Sequence, residues 1–586
     1  MPHHSCVVTS AADTTGHGTL RSAIRYTNSH PGTIITFAAS LADHTITLSH
    51  ELPLILGNHT VIDGRNAADL TISGHDKFRV FFVGDTTDAI SATIENLMIS
   101  HALAKGGDGG TGEDGGGGGA GLGGAIFVSN HASLVVAGLV LSNDTAAGGN
   151  GGGGTNSGLG DGGGGGMGGN GGAGPTAAGG GGGGFGIGAN GGNASGAGSA
   201  GYNGQFTNGA PGGVDGDGSH LGGLNGGGGA GGAIGTAGGG GGVGAGNAFL
   251  KFAGSGDFGG GGGGGVNGGV GGFGGGGGAG SLLGRFGGFG GGGGGSVSTP
   301  GTGGFGGGSG SAAFGGGGAG MGGAIFVMEG GSLTARGSIT ITGDTVLAGT
   351  HAGSAHDGST FGAGLFLNGN GTIHINPGNG QTERVHNAID DQAGLEANGY
   401  MPSAGFTPGS YTLFKSGRGT LVLSADNAYS GGTGLDAGVL DLAAVRAAGT
   451  GAIAFAGSAK LEIANAALPG HVFTNVIDFF GKHDVLDLTG LKFHPGAKAT
   501  YDQTSHNLTV HSGSVTDTLT VFPGLGMHFT PFKAANDGRG GTKVTLELPQ
   551  VIATVASPSA HDFDGQHSSS NLAGSASHAG DFLFVG

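Results

Sequence analysis

The chain has no tryptophan, a single cysteine and few charged residues. With only six tyrosines beside the missing tryptophan, protein docking through the usual aromatic hot spots is disfavoured. One cysteine, Cys6, permits no internal disulfide, so stability must come from packing and backbone hydrogen bonds. Charged residues make up 10% of the chain, against roughly 25% in ordinary globular domains. The surface is therefore expected to be coated with Thr, Ser, Asn and Gly. Lys and Arg number 20 against 38 Asp and Glu, a net charge of −18. That balance speaks against nucleic acid, whose phosphates need a basic face, and leaves no polybasic segment for anionic lipid. No apolar run approaches the roughly 18 residues of a membrane span. The opening MPHHSCVVTSAADTTG has neither the basic nor the apolar region of a secretory signal, so an export address is expected elsewhere.

What the chain has is glycine, 156 residues of 586. Fifteen prolines and the absence of a strict Gly-X-Y period exclude collagen. The main tract runs over about residues 148–323, with a prelude at 106–124, and its edges are tidy. AGLGGAIFVSNHASLVVAGLVLSNDTA (120–146) stands before it, and AGMGGAIFVMEGGSLTARGSITITGDTV (319–346) after it. These flanks are near copies, which predicts that the tract is an insertion between neighbouring coils of one repetitive fold. In-register stacking would then place Ile126 beside Ile325 and Phe127 beside Phe326, roughly 4.8 Å apart.

Short β-rich runs separated by Gly, Asn and Asp predict strands at 6–9, 33–37, 45–48, 54–56, 60–62, 70–73, 79–83 and 93–100. One segment breaks the pattern: Leu20, Ala23, Ile24 and Thr27 recur at helical spacing, with Pro31 beyond them. A short amphipathic helix there would cover the exposed end of a stack of β-coils.

GGAIFV followed by SNDT or TGDT resembles the coil repeats of bacterial autotransporter passengers and polymorphic outer-membrane proteins, and a partial third copy follows at 361–378. YTLFKSGRGTLVLSADNAYSGGTGLDAGVLDL (411–442) closely resembles the autotransporter-associated β-strand repeat. Lys415, Gly417, Asn427, Tyr429, Gly431, Thr433, Gly438, Leu440 and Leu442 all fit it, while Ala425 and Ala428 depart from it. The resemblance implies an all-β fold, a right-handed parallel β-helix or solenoid with a large glycine-rich insertion. No alternating membrane-barrel strands follow, so self-export through a pore of its own is not expected. Residues 474–549 resemble the β-roll-like module of surface proteins exported by type I secretion, and the tail, ending DFLFVG, resembles an uncleaved type I signal. The organisation expected is a cap and first coils at 1–146, the insertion at 147–318, further coils with the strand repeat at 319–473, a C-terminal β module at 474–549 and a flexible tail at 550–586.

Three readings of the tract stand side by side. It is a flexible spacer, a phosphate-cradling loop, or an ordered lattice of polyproline-II-like glycine helices with three residues per turn. A phosphate loop needs a strand before it and a helix after it, and GxGxxG arises everywhere by chance at this composition. The lattice reading is favoured, because glycine lets backbones approach closely. Phe185, Phe206, Phe249, Phe252, Phe258, Phe273, Phe286, Phe289, Phe305 and Phe314 are placed to anchor such a lattice against the coils.

The carboxylates Asp63, Asp76, Asp85, Asp144 and Asp344 sit in turn contexts, where Asp bonds its own backbone. Asp390 and Asp391 resemble a connecting turn before the strand repeat. Acid–base catalysis on an acidic polysaccharide is the alternative for such groups. The 24 histidines are scattered without metal-ligand spacing and read as turn and face residues. In the C-terminal module Asp478, Asp484, Asp487 and Asp537 offer hard oxygen ligands suited to Ca²⁺, although the calcium-binding nonapeptide is missing.

The function expected is that of a secreted, non-enzymatic surface protein that self-assembles into a fibre or lattice, as in a biofilm matrix, surface layer or adhesive filament. Its partners would be copies of itself and cell-surface glycan, with no cofactor beyond Ca²⁺. The alternatives are a monomeric adhesin, a glycan- or ice-binding protein, and a polysaccharide lyase or hydrolase.

Overall fold

A computed structural model describes residues 5–85, 87–155, 160–174, 178–193, 253–402, 406–525 and 530–547. Phe206, Phe249, Phe252 and the expected secretion tail lie outside them. The helix forms at Leu20–Ser29, where Thr19 caps its first turn by accepting from the Ser22 amide. Leu20, Ala23, Ile24 and Thr27 are its buried face. It packs against the first strand, Ser5–Val8, and Arg21 ties it to the next coil by donating to the carbonyls of Glu51 and His50.

Beyond the helix the described chain is almost entirely β-structure, in mostly parallel sheets. Phe81–Val83, Ile126–Val128, Ile325–Val327, Leu365–Leu367 and Ile389–Asp391 form one five-stranded ladder. In it Ile126 faces Phe81 on one side and Ile325 on the other, and Phe127 faces Phe326. The partners predicted from the copied flanks are therefore register partners. Ile90–Ser100 and Ala132–Ser142 pair along their length, and Ser332–Arg336 with Thr340–Thr342 continue that second ladder. Two short ladders complete each coil: Leu103–Lys105, Thr145–Ala147 and Thr345–Leu347, and Gly121–Leu122, Gly320–Met321 and Thr360–Phe361. The result is solenoid-like.

Alternation along a strand sends side chains to opposite faces. Ile126 and Val128 enter the aliphatic interior between the ladders, while Phe127 enters a separate aromatic cluster on the other side. Both faces of this ladder are buried, which is why its strands read as unbroken apolar runs. Each fully buried Ile, Leu or Val contributes about 1.5–3 kcal/mol of transfer free energy.

Later coils carry two main strands each. Leu413 pairs with Thr433, Thr433 with Ile453, and Ile453 with Ile477. Leu421, Leu440, Leu461 and Leu486 stack in the same way. Ile477–Phe480 and Val485–Leu488, which open the module drawn at 474, thus extend the same parallel ladders. One ladder then gains a further parallel strand, Val515–Pro523 on Ile477–Phe480, while on the other Thr542–Leu546 pairs antiparallel with Val485–Leu488; Asn507–Ser512 forms a hairpin with Val515–Pro523.

Candidate functional site

The glycine segments bond to one another with a period of three. The amides of Gly106, Gly109 and Gly112 donate to the carbonyls of Ala147, Asn150 and Gly153. Those of Gly107, Gly110 and Glu113 donate to Gly166, Gly163 and Gly160. The intervening carbonyls of Asp108 and Thr111 accept from Gly171 and Gly174. One segment therefore serves three neighbours, two running parallel to it and one antiparallel. Farther on, Gly256, Gly259, Gly262 and Gly265 donate in steps of three to Val270, Phe273, Gly276 and Ala279. Gly287, Gly290 and Gly293 repeat the pattern onto Thr302, Phe305 and Gly308. Each such bond nets about 0.5–1.5 kcal/mol, and dozens of them oppose the large ordering entropy of glycine.

Close approach explains why these positions are glycine. A Cβ on Gly117, Gly164 or Gly165 would fall within 3.0 Å of the carbonyl oxygen of Gly292, Gly276 or Gly107. Gly153 differs, with nothing near such an atom.

An aromatic seam joins this lattice to the solenoid. Phe82, Phe127, Phe326 and Phe366 stack coil upon coil, with centroids 4.4, 5.1 and 5.6 Å apart. Phe258, Phe273, Phe289 and Phe305 stack in a second column from the lattice, at 5.6, 5.1 and 5.5 Å. The columns meet edge to face: Phe273 lies 6.2 Å from Phe326, and Phe258 6.1 Å from Phe127. Phe185 joins at 5.1 Å from Phe82, whereas Phe286 is half exposed. Residues 258, 273, 289 and 305 also mark a Phe-Gly repeat of about sixteen residues, hidden in the sequence by the surrounding glycine. At Gly290, φ is +76° and a Cβ would strike Ala120, so only glycine turns the chain there.

A buried pair clamps the seam. Arg79 donates to the carbonyls of Gly123 and Leu122 and lies 5.6 Å from the Phe82 ring centre. Burial lowers its pKa to about 10. Glu51, raised by burial and opposed by Arg79, accepts from the Ile187 amide and so holds the lattice to an early coil.

The strand repeat has a structural logic residue by residue. Lys415 is fully buried, and its ammonium donates to the carbonyls of Ser416, Gly417 and Ala437. Burial lowers its pKa to about 8, and Glu383 opposes that shift. Asn427 accepts from the Ile389 amide and donates to the Ala447 carbonyl, bridging three coils. The Tyr429 hydroxyl meets Thr433 at 2.7 Å. Asp391 accepts from the amides of Gly394, Tyr411 and Ser430, and Asp390 from those of Gly362 and Ala428. Their oxygens are occupied by backbone, but both residues lie in the strand Ile389–Asp391, with Asp391 capping the helix Gln392–Ala397, rather than in the connecting turn expected.

Asp144 and Asp344 stack at the turn between two ladders, where the Asp144 amide donates to Asp344 at 2.9 Å. Burial raises the Asp344 pKa to about 8; Asp144 is raised by burial and by Asp344. Burial and the neighbouring Asp114 also raise Asp161 to about 8.

The four carboxylates considered for calcium are spread over the last coil and its cap. Asp478 lies in a strand, opposite Ala454 and Phe522. Asp484 accepts from Gly481 and Ala459, and Asp537 from Arg539 and Gly541. Asp487 pairs with Lys460 at 2.5 Å. Among the described residues no group of three or more His, Cys, Asp or Glu is arranged to hold a metal ion. His59, His75, His101, His131, His471 and His506 take left-handed turn conformations.

Among the described residues no helix is long and apolar enough to cross a membrane. No curated protein and no solved structure matches the chain. Residues 413–442 match the passenger-associated-transport-repeat, and this stretch is therefore similar to the repeats of autotransporter-passenger-like β-strand proteins, which suggests a secreted or surface protein.

Proposed function

We propose that the chain is a secreted, non-enzymatic structural protein of the cell surface that self-assembles laterally into a fibre or lattice. In this reading the ladders are a right-handed parallel β-helix, and the glycine segments a polyglycine-II lattice mounted on its flank. The three-residue period of the lattice bonds supports the second assignment, because that is the repeat of an extended three-fold helix. The observation that carries the function is the outer rim of the lattice. Leu282, Phe286 and Val297 stand 51, 52 and 56% exposed on adjoining turns, which Leu283 and Thr299 bridge in parallel. An apolar row on a chain so poor in charge is an association surface. The ends of the stack carry the helix Leu20–Ser29 and the antiparallel strand Thr542–Leu546. Both disfavour end-to-end pairing and leave sideways growth.

Electron microscopy and light scattering of the purified chain, with and without Ca²⁺, test this. Polymers are expected in at least one condition, and replacing Leu282, Phe286 and Val297 together with serine should abolish them. Strictly monomeric behaviour in both conditions would overturn assembly and favour a monomeric adhesin. Of the carboxylates considered for calcium, Asp484 and Asp487 are buried, so calcium in this reading enters only through the partly exposed Asp478 and Asp537, as separate ligands bridging copies. Export by a type I route would be withdrawn if deletion of residues 581–586 left the extracellular yield unchanged.

A further inference from the structure

A cavity of about 250 Å³ opens where the cap of the stack meets its last coil. Asn465, His471, Lys492, His494, Ser514 and Asp517 supply its polar lining. The wall is pre-arranged. His471 is held at φ +65° on a tight turn, and its Nδ1 lies 2.8 Å from the carboxylate of Asp517, which is almost fully buried. Ser512 accepts from the His494 amide and donates to the Lys492 carbonyl, fixing that loop to the hairpin. The His494 ring lies against Gly513, where a Cβ would come within 3.0 Å of it.

We propose that this cavity binds one acidic sugar unit, of the hexuronate class, from a surface polysaccharide. The proposal rests on the surface-protein reading and gives its glycan partner a site. Size argues for a single ring, since pockets for drug-sized ligands run from about 300 to 1,000 Å³. Chemistry argues for hydroxyls. Asp517 is an acceptor, Asn465 offers both roles, and Ser514 can donate or accept. Leu491 and Val515 also line the cavity and offer an apolar surface to the C–H face of a ring. Charge argues for the carboxylate. The one acidic group in the lining is already engaged by His471, while Lys492 makes no ion pair among the described residues. On a chain of net charge −18, the unpaired ammonium of Lys492 is the group in the lining that selects an anion.

Calorimetric titration of the full chain with methyl glucuronide, methyl glucoside and acetate tests the proposal. Saturable binding of the glucuronide is expected, with the neutral glucoside and the bare anion each weaker by about tenfold or more. Lys492→Met should bring glucuronide down to the level of the glucoside. Ser514→Ala, on the exposed turn, should weaken both sugars and leave acetate unchanged. Thermal melts of both variants are expected to match the parent. Absence of saturable glucuronide binding, acetate binding as tightly as glucuronide, or an unaffected Lys492→Met variant would each overturn the proposal. Polymers seen by microscopy do not depend on any of these titrations, so the two readings fail separately.

Discussion

Phe127 stacks on Phe326 with ring centres 5.1 Å apart and planes 10° from parallel, although the whole glycine tract separates them in sequence. The chain leaves the solenoid at the end of the coil that carries Phe127 and returns one coil higher in perfect register. Between the two rings and solvent stand Phe258, Phe273 and Phe289, so the excursion covers the face from which it departed.

Phe289→Ala removes a ring that contacts Phe273, Phe305, Phe326 and Phe366. Truncation of a buried Phe costs about 3–5 kcal/mol. Limited proteolysis should therefore cut within residues 253–318 before the ladders, at a rate well above that of the parent. Equal protection in both proteins would show that the seam does not hold the lattice.

Gly164→Ala and Gly153→Ala are chemically the same change with opposite expected outcomes. The first drives a methyl into the Gly276 carbonyl, and the second meets open space. Thermal melts should show a loss of several degrees for Gly164→Ala and little change for Gly153→Ala. Similar melting points would mean that close backbone approach is not what selects glycine here.

Stability should fall as pH rises. Asp344, Asp161 and Glu383 are raised to about 8, chiefly by burial. The unfolded chain releases these protons near the ordinary values of 3.8 and 4.5, so the folded chain binds more protons across that window. Each group then costs about 1.4 kcal/mol per pH unit between its unfolded and folded pKa, with no further loss above the folded value. The melting temperature is expected to be higher at pH 5 than at pH 8, and Asp344→Asn should narrow the gap. A melting temperature that climbs from pH 5 to pH 8 would contradict these burials.

Much of this was legible because stacking copies sequence. Ile126 and Ile325 must occupy equivalent sites, so the chain repeats GGAIFV at both. The helix could be read from Leu20, Ala23, Ile24 and Thr27, since the buried face of a helix has its own period. Lys415 and Asn427 stood out through the resemblance to the strand repeat, although the groups they reach in other coils, on Ala437, Ile389 and Ala447, leave no trace in local sequence. Two features escaped. The Phe258, Phe273, Phe289 and Phe305 repeat is masked by glycine, which gives every alignment of the tract a similar score. The cavity at His471 and Asp517 joins segments far apart in the chain, and a histidine beside Pro469 and Gly470 reads only as a turn.

Lys415→Met leaves the carbonyls of Ser416, Gly417 and Ala437 without their donor and removes the ammonium that holds the Glu383 pKa down. Leaving a buried acceptor without its donor costs about 1–3 kcal/mol. Denaturant melts should show that loss, and adding Glu383→Gln should change it non-additively, because the two residues influence each other electrostatically. Strict additivity of the two changes would place Glu383 outside the lysine's electrostatic reach.

Hydrogen–deuterium exchange of the intact chain, followed peptide by peptide across residues 253–318, tests the central claim most directly. If the tract is an ordered lattice bonded every third residue to each neighbour, its amides should exchange on the slow timescale of the strand Ala132–Ser142. Exchange at the rate of an unstructured glycine chain, with Ala132–Ser142 still protected, would contradict it.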